Sequence, residues 1–103
     1  MNKSESEISR AIGTYLTSKG YKHWRNQSGQ VRVNGGYMHL GINGLADRTV
    51  MLNGCHLYIE VKTLTGKQKE AQKDFEDKCN ELGHHYMIAR SVDDVKTMIE
   101  GLI

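Results

Sequence analysis

A chain of 103 residues carrying a net charge of +2 has room for one small domain, and a charge that modest does not by itself call for nucleic acid. A domain of this size buries only about 60–70% of its unfolded surface, so an extended active-site cleft points to a partner subunit. No apolar run reaches membrane length, the polar N-terminus does not read as a secretory signal, and Cys55 and Cys79 lack a C-x-x-C spacing, so a reduced cytoplasmic protein without disulfides is expected.

The first helix is predicted from Ser4 to Lys19, with Gly20 just past its end. Ile8, Ala11, Ile12, Tyr15 and Leu16 supply its apolar stripe. Ser4 and Glu7 have the spacing of a capping box, which gives Glu7 a structural role. At about 100° per residue, Glu5 falls within the arc of Ile8, Ile12 and Leu16, so it points inward and is the better candidate for a site acid. A frayed first turn with Glu5 in water accounts for the residue equally well. Residues 1–30 also hold Lys3, Arg10, Lys19, Lys22 and Arg25 against Glu5 and Glu7, compatible with a basic rim around DNA and with an ordinary solvated surface.

Short extended pieces follow around Tyr21–Gln27 and at Val31–Val33, then a loop from Asn34-Gly35-Gly36 to Gly41-Ile42-Asn43-Gly44 in which His39 has no partner at ligand spacing. Arg25 and Asn26, near the end of the first strand, are placed to reach a phosphate. From Asp47 to Lys62 the chain reads as a β-hairpin closed by a type I′ Asn53-Gly54 turn. That turn fixes the register: Leu52 faces Cys55, Met51 faces His56, and further steps outward set Asp47 opposite Glu60. Opposed side chains have Cβ atoms about 4.5–5.5 Å apart, close enough for two carboxylates to share a divalent cation. Alternation puts Lys62 on the face of Glu60, while Leu57, Ile59 and Val61 face a core. A solvated face would explain these residues too, but two like charges in opposition are destabilising unless a cation or a proton compensates them.

A second capping box, Thr65 with Gln68, predicts a helix running to Leu82 before Gly83, with Ala71, Phe75, Cys79 and Leu82 on its apolar face. Gln68 and Gln72 share that arc and are expected near the carboxylates, where they can hold Lys62 or an attacking water; Lys67 opens the helix beside the site. His84 to Arg90 reads as a fourth strand, and Ser91 caps a last helix bearing Val92, Val95, Ile99 and Leu102. The expected order is α-β-β-β-α-β-α, an α/β fold with a mixed sheet flanked by helices over residues 1–103.

Taken together, Glu5 with Ile8, Trp24-Arg25-Asn26, Gly44-Leu45-Ala46-Asp47, Gly54, Ile59-Glu60-Val61-Lys62-Thr63, Gly66-Lys67-Gln68, Gln72, and Gly83 with Tyr86-Met87-Ile88-Ala89 resemble a stand-alone, phage- or bacterial-type VRR-NUC domain of the PD-(D/E)XK nuclease superfamily. One departure is visible, Ala46 where the superfamily has its eponymous proline, and it bears on loop geometry more than on activity. The resemblance implies a restriction-endonuclease-like core and a metal-dependent endodeoxyribonuclease. It implies Mg²⁺ or Mn²⁺ held by Asp47, Glu60 and the Val61 carbonyl, with Glu5 completing the metal site. It gives Lys62 and Gln72 to catalysis with the two acids, and Arg25, Asn26, Lys67 and Gln68 to DNA. Branched DNA, four-way (Holliday) junctions in particular, is the implied substrate, a homodimer the implied assembly, and a bacterial or phage-infected cytoplasm the implied setting; no organic cofactor and no membrane are expected. Less selective nuclease action and a catalytically silent DNA-binding module are the competing readings. A structural zinc site drawn from Cys55, Cys79, His56, His84 and His85 lacks finger spacing.

Overall fold

The computed structural model describes residues 3–27, 29–40 and 42–103. Its first helix, α1 (Glu5–Ser18), begins where local chemistry dictates: Ser4 Oγ accepts the Glu7 N–H while the Glu7 carboxylate accepts the Ser4 N–H, both at 3.2 Å. Gly20, with φ of +79°, ends it by entering the left-handed region that glycine tolerates. Six strands follow or intervene: β1 (His23–Arg25), β2 (Gly29–Val33), β3 (Gly36–Leu40), β4 (Arg48–Leu52), β5 (Cys55–Val61) and β6 (His85–Ala89). The remaining helices are α2 (Glu70–Glu81) and α3 (Val92–Leu102), the latter capped by Ser91 as its sequence predicts.

Four strands form a mixed sheet in the order β1-β4-β5-β6, antiparallel except for the β5/β6 pair, which α2 connects. Alternation decides the layers. Val50, Leu57, Ile59, Val61 and Ala89 face one side, where Ile8, Ile12 and Leu16 of α1 and Val95 and Ile99 of α3 bury against them. Burying each of these aliphatic side chains contributes about 1.5–3 kcal/mol, so this layer is the main hydrophobic core. The opposite side carries Tyr58 and Tyr86 under Phe75 and Cys79 of α2. Among the described residues no helix is long and apolar enough to cross a membrane.

Three expectations change. Five strands, not three, precede α2, because residues 29–40 form a separate two-stranded sheet: the extended piece expected at Val31–Val33 belongs to β2, and β3 lies where a loop was expected; His39 lies in β3, and Gly41 lies outside the described residues. The Thr65–Gln68 capping box does not form. Thr65 sits in a turn, α2 begins at Glu70, and Gln72 Oε1 instead accepts the Lys69 N–H at 2.9 Å, since Thr63 and Gly66 upstream are committed to Arg90. The β4–β5 turn keeps the expected register but is not type I′. No described non-glycine residue has positive φ, so Gly54 (φ +80°) alone carries the left-handed conformation, the pattern of a type II turn.

Candidate active site

The β4–β5 ladder ends with Arg48 beside Ile59, so the next step outward sets Asp47 against Glu60 at the sheet's open end. Asp47 Oδ2 accepts the Val61 N–H at 2.7 Å. The next amide, Lys62 N–H, donates to Ala89 O on the other side of the strand. Main-chain directions alternate along an extended strand, so the Val61 carbonyl shares the side of Asp47. Glu60 is only 4% exposed, and its Oε2 lies 3.4 Å from Lys62 Nζ and 3.0 Å from Gln72 Nε2, which donates to it.

Burial, reinforced by the neighbouring Asp47 charge and partly offset by Lys62, pushes the Glu60 carboxyl up to about 7. Glu60 has one buried lysine beside it in a half-dry patch, so near neutrality it retains its proton much of the time. That proton marks where a positive charge is wanted. Gln72 is fixed at both ends of its amide, with the oxygen on the Lys69 N–H and the nitrogen on Glu60, so α2 cannot shift without disturbing the acid.

Asp47 is itself held from below. Asn26 Nδ2 donates to the Ala46 carbonyl at 3.0 Å and to Thr49 Oγ1 at 2.8 Å, and the Asn26 N–H donates to the Asp47 carbonyl at 2.8 Å. Ala46 is 1% exposed. The rigidity that proline would give position 46 is supplied here by hydrogen bonds from one asparagine and by burial. Two residues upstream, Gly44 (φ +77°) lies so close to α2 that a Cβ there would stand 2.0 Å from the Ala71 carbonyl oxygen.

The loop after Lys62 is pinned by Arg90, whose Nη1 donates to the Thr63 carbonyl and to that of Gly66 at 2.8 Å. Lys62 is thereby held 7% exposed, while Lys67 projects into solvent. Gln68 donates to Glu76 at 3.0 Å and does not reach the acidic pair, unlike Gln72. Glu7 is occupied by the cap, whereas Glu5 is exposed and lines a recess of about 160 Å³ together with Arg25, Asp47 and Val61. Glu5 therefore borders the acidic pair without being folded into it.

Among the described residues no three His, Cys, Asp or Glu side chains form a ready-made metal group. His56 and His84 stack at 5.2 Å, with the His56 N–H donating to His84 Nδ1, but no third ligand joins them. Asp47, Glu60 and the Val61 carbonyl together present oxygen donors only, the chemistry that Mg²⁺ and Mn²⁺ take, and the raised Glu60 carboxyl fits a site built around positive charge.

Arg90, Arg48 and the clamping role of Asn26 are absent from the sequence reading. Arg90 and Asn26 leave no periodic signal, because their partners are backbone carbonyls distant in the chain. Arg48 left one: it shares strand parity with the buried Val50, an unusual place for a guanidinium. Compared with known proteins, the chain matches no family model and no curated protein.

Proposed function

We propose that this protein is a metal-dependent DNA endonuclease with a restriction-endonuclease-like core, of the stand-alone VRR-NUC kind, acting on branched DNA such as four-way junctions as a homodimer. The observation that carries the reading is Glu60: a buried carboxyl, opposed to Asp47 and held by Lys62 and Gln72. A purely structural pair would place the two acids apart or give each its own cation. Here they oppose each other at an open sheet end with a single lysine, paired to Glu60, beside a recess that admits solvent.

In this reading Asp47, Glu60 and the Val61 carbonyl hold Mg²⁺ or Mn²⁺, with Glu5 reaching it through water. When bound, the cation activates a water and neutralises charge developing on the phosphodiester. Lys62, held beside Glu60, orients that water and offers an N–H to the scissile phosphate as its charge grows. Gln72 keeps Glu60 turned toward the site, and Arg25, at the recess mouth, binds the adjoining phosphate. Two copies are required because paired cuts across a two-fold junction need two such centres.

The test is Mn²⁺ titration by calorimetry on the wild type, Asp47→Ala and Glu60→Gln, followed by cleavage of linear duplex, single-strand, flap and four-way-junction DNA with Mg²⁺ and with Mn²⁺. The reading expects saturable binding lost in both variants and fastest cleavage of the junction. Equal rates on plain duplex would remove the junction preference but keep the nuclease, and wild-type Mn²⁺ binding unchanged in both variants would overturn the site.

A further inference from the structure

Away from the acidic pair, a groove of about 690 Å³ runs between α1 and the β1–β4 edge of the sheet. Its helical wall is made of short side chains at helical spacing, Ser6, Ser9, Gly13, Thr14 and Thr17, on the flank of α1 beside its buried stripe. Besides Ser18 and His23, the rest of its lining is three arginines, Arg10, Arg25 and Arg48, with no carboxylate among the residues that line it.

Arg48 sits in this lining 6% exposed, which makes it an unusual floor. Its Nη1 donates to His23 Nδ1 at 2.9 Å and its Nη2 reaches the Ser9 carbonyl at 3.5 Å, but its Nε is buried without a partner. No carboxylate forms an ion pair with it among the described residues. His23 cannot serve as counter-ion: Nδ1 must accept from the arginine, so Nε2 carries the hydrogen and donates to Thr17 Oγ1 at 2.8 Å, leaving a neutral ring. Gly13 lets the guanidinium lie close against α1, since a Cβ there would stand 3.1 Å from Nη2. Asp47 offsets part of this charge through space, and with no carboxylate in direct contact the guanidinium still suits an anion from outside the chain.

The groove also joins the recess at the acidic pair, with Ser6, Ser9 and Arg25 lining both. A ligand leaving Asp47 along α1 therefore meets one cation after another at the width of short hydroxyl side chains. The anion that recurs along a line and fits such a track is the phosphodiester backbone. We infer that the α1 groove carries the backbone of one nucleic-acid strand away from the acidic pair, with Arg48 as its buried anchor and Arg10 and Arg25 as its rim. This deepens the nuclease reading and rests on it for the polymer's identity.

The experiment measures binding of a short fluorescein-labelled DNA duplex by anisotropy in EDTA, so that metal chemistry plays no part. Thr14 and Arg10 are both exposed, so Thr14→Glu and Arg10→Ala test the groove without touching the core, and Lys73→Glu on α2 is the control. Thr14→Glu is expected to weaken binding about tenfold, and Arg10→Ala to lower the slope of log affinity against log salt by about 0.9, with Lys73→Glu near wild type. Inorganic phosphate competing as strongly as DNA, equal effects of all three variants, or no wild-type binding would each overturn the track. The Mn²⁺ titration stands apart from all of these outcomes, so loss of the track and loss of the metal site are separately visible.

Discussion

Asp47 and Arg48 are neighbours in the chain and face opposite sides of the sheet. On one side Asp47 joins Glu60 and a single lysine, so negative charge is in excess and Glu60 is driven toward its protonated form. On the other side Arg48 joins a neutral histidine and no acid, so positive charge is in excess. Each is a buried charge left incompletely matched, and each opens onto solvent in concavities that share three residues. The difference teaches that one strand can carry two complementary deficits, one suited to a cation and the other to an anion, on its opposite faces. Asp47 and Arg48 offset each other in part through space but form no direct ion pair among the described residues.

Breaking the acidic side should have the largest effect. Glu60→Gln or Lys62→Ala is expected to reduce cleavage by at least about 10²–10³-fold while far-UV circular dichroism stays that of the wild type. Undiminished turnover in either variant would remove the catalytic assignment. On the basic side Arg48→Ala is expected to cost about 1–3 kcal/mol in urea unfolding, because it leaves Ser9, His23 and the groove floor without their shared donor, and to weaken metal-free DNA binding with it. Unchanged stability would show the arginine to be a spectator.

Asn26→Ala sharpens the comparison from the support beneath it. Loss of two side-chain hydrogen bonds should cost about 1–2 kcal/mol and weaken Mn²⁺ binding while leaving the salt dependence of DNA binding unchanged. The last expected effect is on pH. The folded protein holds Glu60 near 7 against an ordinary 4.5, so it binds the extra proton between those values and the unfolded chain does not. Stability from this group is full below 4.5 and is lost as pH rises through about 7, whereas Mn²⁺ affinity rises over the same window. Thermal unfolding from pH 5 to 8 checks this, and Glu60→Gln should flatten the dependence.

How much of this was legible in the residues depends on what each element rests on. The Ser4–Glu7 cap and the stripe of Ile8, Ile12 and Leu16 are local, and α1 forms as they predict. The register of β4 and β5 also follows from their alternation, since a one-residue slip would turn Leu57 and Ile59 away from the core they share with α1 and α3. Yet Asn34-Gly35 carries the same turn dipeptide as Asn53-Gly54, and the strand after it falls in an expected loop because glycines flank it and no clear alternation marks a buried face, although the extended piece before it is expected. The start of α2 was missed for the opposite reason. Thr65 and Gln68 satisfy a local rule, but Arg90 draws in the carbonyls of Thr63 and Gly66, and a tertiary contact overrides the cap. At the site, the opposition of Asp47 and Glu60 could be deduced from strand geometry. The clamp from Asn26 and the unpaired guanidinium of Arg48 could not, because both depend on which distant elements lie alongside.

Gly44 ties the surroundings of the acidic pair to close packing. With a Cβ excluded at 2.0 Å from the Ala71 carbonyl, the segment leading into Asp47 lies directly on the first turn of α2. The same helix brings Gln72 to Glu60, so the contact that seats α2 and the hydrogen bond that holds the acid belong to one packed unit. A side chain at position 44 would therefore disturb the acidic pair from a distance, through the helix and not through either carboxylate.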